Sequence, residues 1–290
     1  MYRIAILGCE NSHADAFLNL IIKEKKYPDI EVVGVYSNEA EALERMKASF
    51  GVYCAESFDE FVGKVDGIVI TARDGRNHYK YAKPYIKYGI PMFVDKPITS
   101  DENEALEFMK ELRDNGCKVV GGSSCVHSPL VKELAEKRKS GEYGKVYGGF
   151  LRAPINLVNN YGNFFFYSQH LVQVMQTIFG YYPKSVKTYQ NGDVITLSVR
   201  YDEYDVSAQF TGSDWTYIAT VSHEKGLTGG IYPVNESLYP MEFDEFYHIL
   251  RGGEQPQSYK EFASPVPVLC AIERAIESGR EETVRPMEEI

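Results

Sequence analysis

The sequence predicts an α/β protein: a doubly wound parallel sheet over residues 1–121, then an α+β region over residues 122–290 on an open, mainly antiparallel sheet. Three observations carry this reading. Short β-branched apolar runs alternate with helical patterns through residue 121. The first run, Ile4–Leu7, ends in Gly8 just ahead of a helix. After Gly121–Gly122 the alternation gives way to strands broken at turn residues. Strands apolar on both faces and separated by amphipathic helices mark a parallel sheet covered on both sides.

The predicted strands of the first region are Arg3–Leu7, Glu31–Tyr36, Gly67–Thr71, Pro91–Val94 and Lys118–Gly121, with helices at Ser12–Lys26, Glu39–Phe50, His78–Tyr88 and Asp101–Asn115. The last helix has a capping-box pattern, with Thr99 as N-cap and Glu102 three residues on, and Gly116 as its stop. In the second region a helix at Pro129–Lys139 leads through "SGEYGKVYGG" to a strand and then to a helix around Ser168–Phe179. The alternating stretch from Val186 to Gly226 reads as an antiparallel meander. Helices at Pro240–Arg251 and Ser264–Ser278 follow.

Composition narrows the function. Across 290 residues the net charge is −10, which opposes a nucleic-acid groove built on clustered Lys and Arg. No window approaches the ~18 apolar residues of a membrane span, and the N-terminus lacks the pattern of a signal peptide. Five scattered cysteines without C-x-x-C spacing read as reduced thiols of a cytoplasmic protein. Six dispersed histidines give no metal-ligand spacing, so no metal is expected.

Two stretches carry chemistry. In "RIAILGCENSHADAF" the strand, the Gly8 turn and the following helix start are what a pyrophosphate needs, and Asn11 and Ser12 are good N-cap types. In "GIPMFVDKPITSDENEALEFM" a strand delivers Asp95, Lys96 and Pro97 at its carboxyl end, where open α/β sheets bind ligands. Pro97 restricts the backbone of Lys96, so that the ammonium can be aimed into the crevice.

On these residues the chain resembles the Gfo/Idh/MocA oxidoreductases. Their Glu-Lys-Pro motif reads here as Asp95-Lys96-Pro97. "TARDGRNHYKYAKPYIKYGIPMFVDKP", with His78 at its helix start, is similar to the family's stretch between fourth and fifth strands. "SGEYGKVYGGF" looks like its crossover between domains, and "AIERAIESGREETV" like its closing helix. The resemblance implies a Rossmann-type domain binding NAD or NADP, and a sugar, sugar derivative or cyclitol as substrate. A homodimer or homotetramer through the second sheet is expected, because its apolar open face needs cover. Gly8, Asn11, Ser12, His13, Ser37, Asn38, Thr71, Arg73, His78, Asp95, Lys96 and Pro97 fall where relatives contact the coenzyme. Lys96 and His170 fall at the catalytic positions, with His127 and Tyr167 beside the substrate.

Three departures stand out. The glycines after Gly8 are replaced. Ser37 stands where NAD-binding relatives place an acid, which tilts the expectation slightly toward NADP. Phe166 occupies the position of the Asp that partners the histidine, leaving Tyr161, Tyr167 and Asn160 as candidates to orient His170. With a pKa near its ordinary ~6.5, His170 would act as base and Lys96 would stabilise alkoxide character. The same departures fit an inactive ligand-sensing relative, or a lyase or hydrolase that uses the coenzyme transiently.

Overall fold

Ile4–Leu7 have no exposure, as a strand covered on both faces requires. In the computed structural model, which describes residues 1–290, they lie in β1 (Tyr2–Leu7). With β2 (Ile30–Tyr36), β3 (Gly67–Ile70), β4 (Met92–Asp95) and β5 (Val119–Gly122) it forms a parallel sheet in the order β2-β1-β3-β4-β5. An isolated parallel bridge from Val35 to Cys54 lies at its outer edge, the remnant of a further strand. The order reverses between β1 and β3, the switch point at which such sheets bind ligands.

The connecting helices are α1 (Ser12–Leu18), α2 (Ala40–Phe50), α3 (His78–Ile86) and α4 (Glu102–Asp114). The helix expected at Ser12–Lys26 is α1 followed by a π-helical turn, Asn19–Lys23. The predicted Thr99 cap is corrected. Asp101 is the N-cap, its carboxylate accepting from the N–H groups of Asn103 and Glu104 at 2.9 and 2.8 Å. Thr99 instead donates its hydroxyl to the Glu104 carboxylate.

In the second region α5 (Pro129–Ser140) precedes β6 (Val146–Pro154) and α6 (Phe165–Phe179), and then come β7 (Ser185–Asn191), β8 (Val194–Arg200), β9 (Asp205–Thr211), β10 (Tyr217–His223) and β11 (Gly226–Tyr232). The seven-stranded sheet runs β11-β10-β6-β9-β8-β7-β12, with β12 (Glu282–Thr283) at one edge. The expected meander is therefore interrupted: β6 inserts between β9 and β10, parallel to β9 and antiparallel to β10. One register row, Ala219–Leu151–Ala208–Leu197–Thr188, is buried, on the face that α5, α6 and α9 (Pro265–Ser278) cover. The neighbouring row, Ile231–Ile218–Arg152–Gln209–Thr196–Tyr189, faces outward. No helix is long and apolar enough to cross a membrane, and all five cysteines are free.

The chain then returns to the first sheet. α7 (Tyr239–Leu250) packs on α1 and β5, and α8 (Tyr259–Ala263) leads into α9. Phe243, Phe246, Ile249 and Leu250 share one apolar cluster with Ile4, Phe17 and Phe93. Phe243 meets Phe17 at 4.9 Å and Tyr27 at 4.7 Å between ring centroids. Around this contact Lys26 pairs with Asp244 at 3.0 Å, and the Tyr247 hydroxyl donates to Asp29 at 2.6 Å. Phe243→Ala should cost about 3–5 kcal/mol of unfolding free energy, the range for an emptied aromatic core site. Urea denaturation checks it; a loss under about 1 kcal/mol would mean that α7 is not part of the first core.

Candidate active site

Gly8 closes β1 at φ +84°, and a Cβ there would stand 2.2 Å from the Cα and nitrogen of Ala72. Only glycine fits so close an approach of two strand ends. The N–H groups of Gly8 and Cys9 donate to the Tyr36 carbonyl at 2.8 and 3.1 Å, and the Thr71 hydroxyl donates to the Gly8 carbonyl at 3.0 Å. The turn is thus tied to both neighbouring strands.

Two residues on, Glu10 is only 4% exposed. Its carboxylate accepts from the Ser37 hydroxyl at 2.7 Å and from the Arg73 N–H at 2.9 Å. The Arg73 guanidinium donates to the Glu10 carbonyl, donates to the Tyr161 hydroxyl at 2.6 Å, and lies 4.8 Å over the Tyr161 ring. Glu10 thus brings a carboxylate from the β1 turn to Ser37, at the end of β2. Asn38, its neighbour, is exposed.

Asp95 is wholly buried at the end of β4. It accepts from the Asn11 side-chain amide and from the Lys96 N–H, each at 2.7 Å. Asn11 sits at the N-cap position but makes no side-chain cap bond, because its amide is committed to Asp95. Ser12, exposed on the next position, lies 3.4 Å from the Tyr239 hydroxyl. His13 is neither a cap nor exposed. Its Nδ1 lies 3.4 Å from Asp95 and its Nε2 3.3 Å from Glu242 on α7. Burial alone would push His13 down; the two facing carboxylates outweigh it and hold the imidazole above its ordinary pKa. Burial pushes Glu242 up, against the pull of His13.

Lys96 is 5% exposed. Its ammonium rests on aromatic faces, 4.9 Å over the Phe166 ring and 5.6 Å over that of Tyr167. Phe166, which replaces an acid in the resemblance, therefore forms the floor under the ammonium. Tyr167 also meets His170, with ring centroids 5.6 Å apart, so the lysine of the first sheet and the histidine of α6 share one aromatic neighbour. The buried Pro97 packs against Gly75, where a Cβ would come within 2.5 Å of it.

Ser123, not the tyrosines or Asn160, partners His170: its hydroxyl lies 2.6 Å from Nδ1. Ser123 follows β5, and the Gln173 amide oxygen accepts its N–H at 2.7 Å. Gly122, at φ +88°, lets that amide in; a Cβ there would meet it at 2.3 Å. Gln169 donates to Gln173 at 3.0 Å and accepts from the Ile98 N–H at 3.1 Å. Burial, then Lys96 and His13, press His170 well below its ordinary pKa, which corrects the expectation of a value near 6.5. The ring is a neutral imidazole.

His78 and His127 lie outside this convergence. The His78 Nε2 donates to the Ala72 carbonyl at 2.8 Å and pins the loop before α3, with burial holding it below its ordinary pKa. His127 is buried near Lys132 and Glu245, pushed down to about 4 by burial and then by Lys132. Sequence reasoning missed Ser123 and Glu242. Ser123 could have been found by its place at a strand's carboxyl end; Glu242 carries no such signal.

The strand order and the Gly8 turn fit a dinucleotide, and the Glu10 side chain stands in its way. The position two beyond Gly8 must let phosphate approach the backbone, and here it carries a side chain whose carboxylate spans the ends of β2 and β3.

Residues 2–123 match the model of the oxidoreductase family with an NAD-binding Rossmann fold, GFO_IDH_MocA. Among solved structures, a myo-inositol dehydrogenase from Corynebacterium glutamicum is similar at 16% identity and a TM-score of 0.81, covering 99% of each chain. Myo-inositol 2-dehydrogenase from Lactobacillus plantarum is similar at 13% identity and a TM-score of 0.84, covering 98% of this chain and 99% of its own. The WlbA dehydrogenase from Chromobacterium violaceum, in complex with NADH and UDP-GlcNAcA, is similar at 14% identity and a TM-score of 0.78, covering 98% of this chain and 96% of its own. No curated protein matches by sequence. The first 123 residues are thus similar to the Gfo/Idh/MocA oxidoreductases, and nearly the whole length of the chain shares the two-sheet fold of those dehydrogenases.

Proposed function

We propose that the chain is a nicotinamide-dependent oxidoreductase acting on a hydroxyl carbon of a sugar, sugar derivative or cyclitol. The observation that carries this reading is the meeting of Lys96 and His170. Lys96 follows β4 of the first sheet and His170 lies on α6 of the second region, and the two converge on Tyr167 near the carboxyl ends of β4 and β5. The similar inositol dehydrogenases support the substrate class by fold alone.

Lys96 supplies a fixed positive charge for the reacting oxygen. Its aromatic floor provides no competing anion, and Asp95 is already committed to Asn11 and to the backbone. His170 receives the hydroxyl proton at Nε2. That requires the hydrogen of the neutral ring to sit on Nδ1 and to be donated to the Ser123 oxygen 2.6 Å away. Ser123 is thus a positioning residue, doing by hydroxyl what a carboxylate would do by charge. A neutral partner does not stabilise the imidazolium, in keeping with the depressed basicity of His170.

Lys96→Met should abolish turnover of polyol substrates while leaving coenzyme affinity within a few-fold; an active Lys96→Met protein would refute the assignment. Because His170 is held well below its ordinary 6.5, the acid limb of kcat/KM should lie well under that pH. A limb at 6.5 would assign the base elsewhere. Ser123→Ala should lower kcat on the order of 10-fold, a fraction of the ~10²–10⁴ that acid–base catalysis contributes, with KM within a few-fold. An unchanged kcat would free His170 from its proposed partner. The outward row from Ile231 to Tyr189 is the surface through which we propose a homodimer or homotetramer, and a monomer mass by light scattering would remove that part.

A further inference from the structure

We infer that Glu10 is a built-in occupant of the dinucleotide crevice, and that its carboxylate competes with the coenzyme for the ends of β2 and β3. The inference rests on the oxidoreductase reading and concerns how that site is filled.

Three features carry it. The first is position. β2 and β3 flank β1 on either side, and a dinucleotide in this sheet order lies across their carboxyl ends. Glu10 rises from the β1 turn between them. The second is saturation. The Glu10 carboxylate takes the Ser37 hydroxyl at 2.7 Å and the Arg73 N–H at 2.9 Å, both of them donors that would otherwise face ribose hydroxyls or phosphate oxygens. A carboxylate held by two donors in a buried pocket does what a bound anion would do, at no cost in translational freedom. The third is closure. Arg73 grips the Glu10 carbonyl from one side and the Tyr161 hydroxyl, 2.6 Å away, from the other, and so carries the same contact across to the second region. Glu10, Ser37, Lys96 and His170 are all buried.

A coenzyme entering this crevice must lift Glu10 off Ser37 and Arg73 and face its negative charge. Removing the side chain returns both donors to the crevice and opens the turn; removing only its charge achieves part of this. Binding of NADH and NADPH to the full-length protein, measured by titration calorimetry and by shift in melting temperature, tests the inference without relying on turnover. Glu10→Gly should bind its preferred coenzyme at least ten-fold more tightly than wild type, with Glu10→Gln between the two. Circular dichroism checks that the variants fold, and Glu10→Gln, which keeps the side chain's size, carries the test if Glu10→Gly does not. Equal affinity in wild type and a folded variant overturns the occupant role while leaving the oxidoreductase reading in place. Failure of wild type and both variants to bind either coenzyme overturns both.

Discussion

A carboxylate with no solvent exposure has to be matched by donors and by positive charge, and Asp95 imposes that demand at the centre of this molecule. It draws the Asn11 amide and the His13 ring from α1, fixes the backbone N–H of Lys96, and through His13 reaches Glu242 on α7. Asp95, Glu242 and His13 thereby meet in one buried cluster, with Lys96 next along the chain. The arrangement sets the start of α1 and the departure of the chain after β4. The direction of the Lys96 ammonium, laid on Phe166 and Tyr167, follows from it.

The two halves of the site differ in kind. On the side proposed for substrate a cation, an imidazole and a hydroxyl partner stand in a chain from β4 through α6 to the end of β5, supported by Gln169 and Gln173. That half is complete in the sense that each group has its own support. On the side proposed for the coenzyme the polar groups satisfy one another, Glu10 with Ser37 and Arg73, and Arg73 with Tyr161. The chain thus keeps the strand order and the strand-end lysine while the turn after β1 carries Glu10.

Much of the fold was legible because it rests on local pattern. The five strands of the first sheet, the Gly8 turn and the Asp95-Lys96-Pro97 corner each declare themselves within a few residues. What stayed hidden depends on partners far apart in the chain. Glu10 meets Ser37 and Arg73 across 27 and 63 positions, and Ser123 meets His170 across 47. Glu10 could be read as awkward beside an anion, but nothing local shows that it has turned toward two donors. The meander misled for a related reason: period-2 alternation identifies strands without saying which lie side by side, and β6 could insert between β9 and β10 unseen. Phe166 read as a loss because only its missing charge was weighed, while its ring faces a cation.

The return of α7 to the first sheet bears on how the polypeptide is made. A ribosome delivers β1 through β5 long before residues 239–250 emerge, so Phe17 and Phe93 wait with one flank bare. Transiently exposed apolar surface of this kind is aggregation-prone. That flank is covered only when residues 239–250 have been translated.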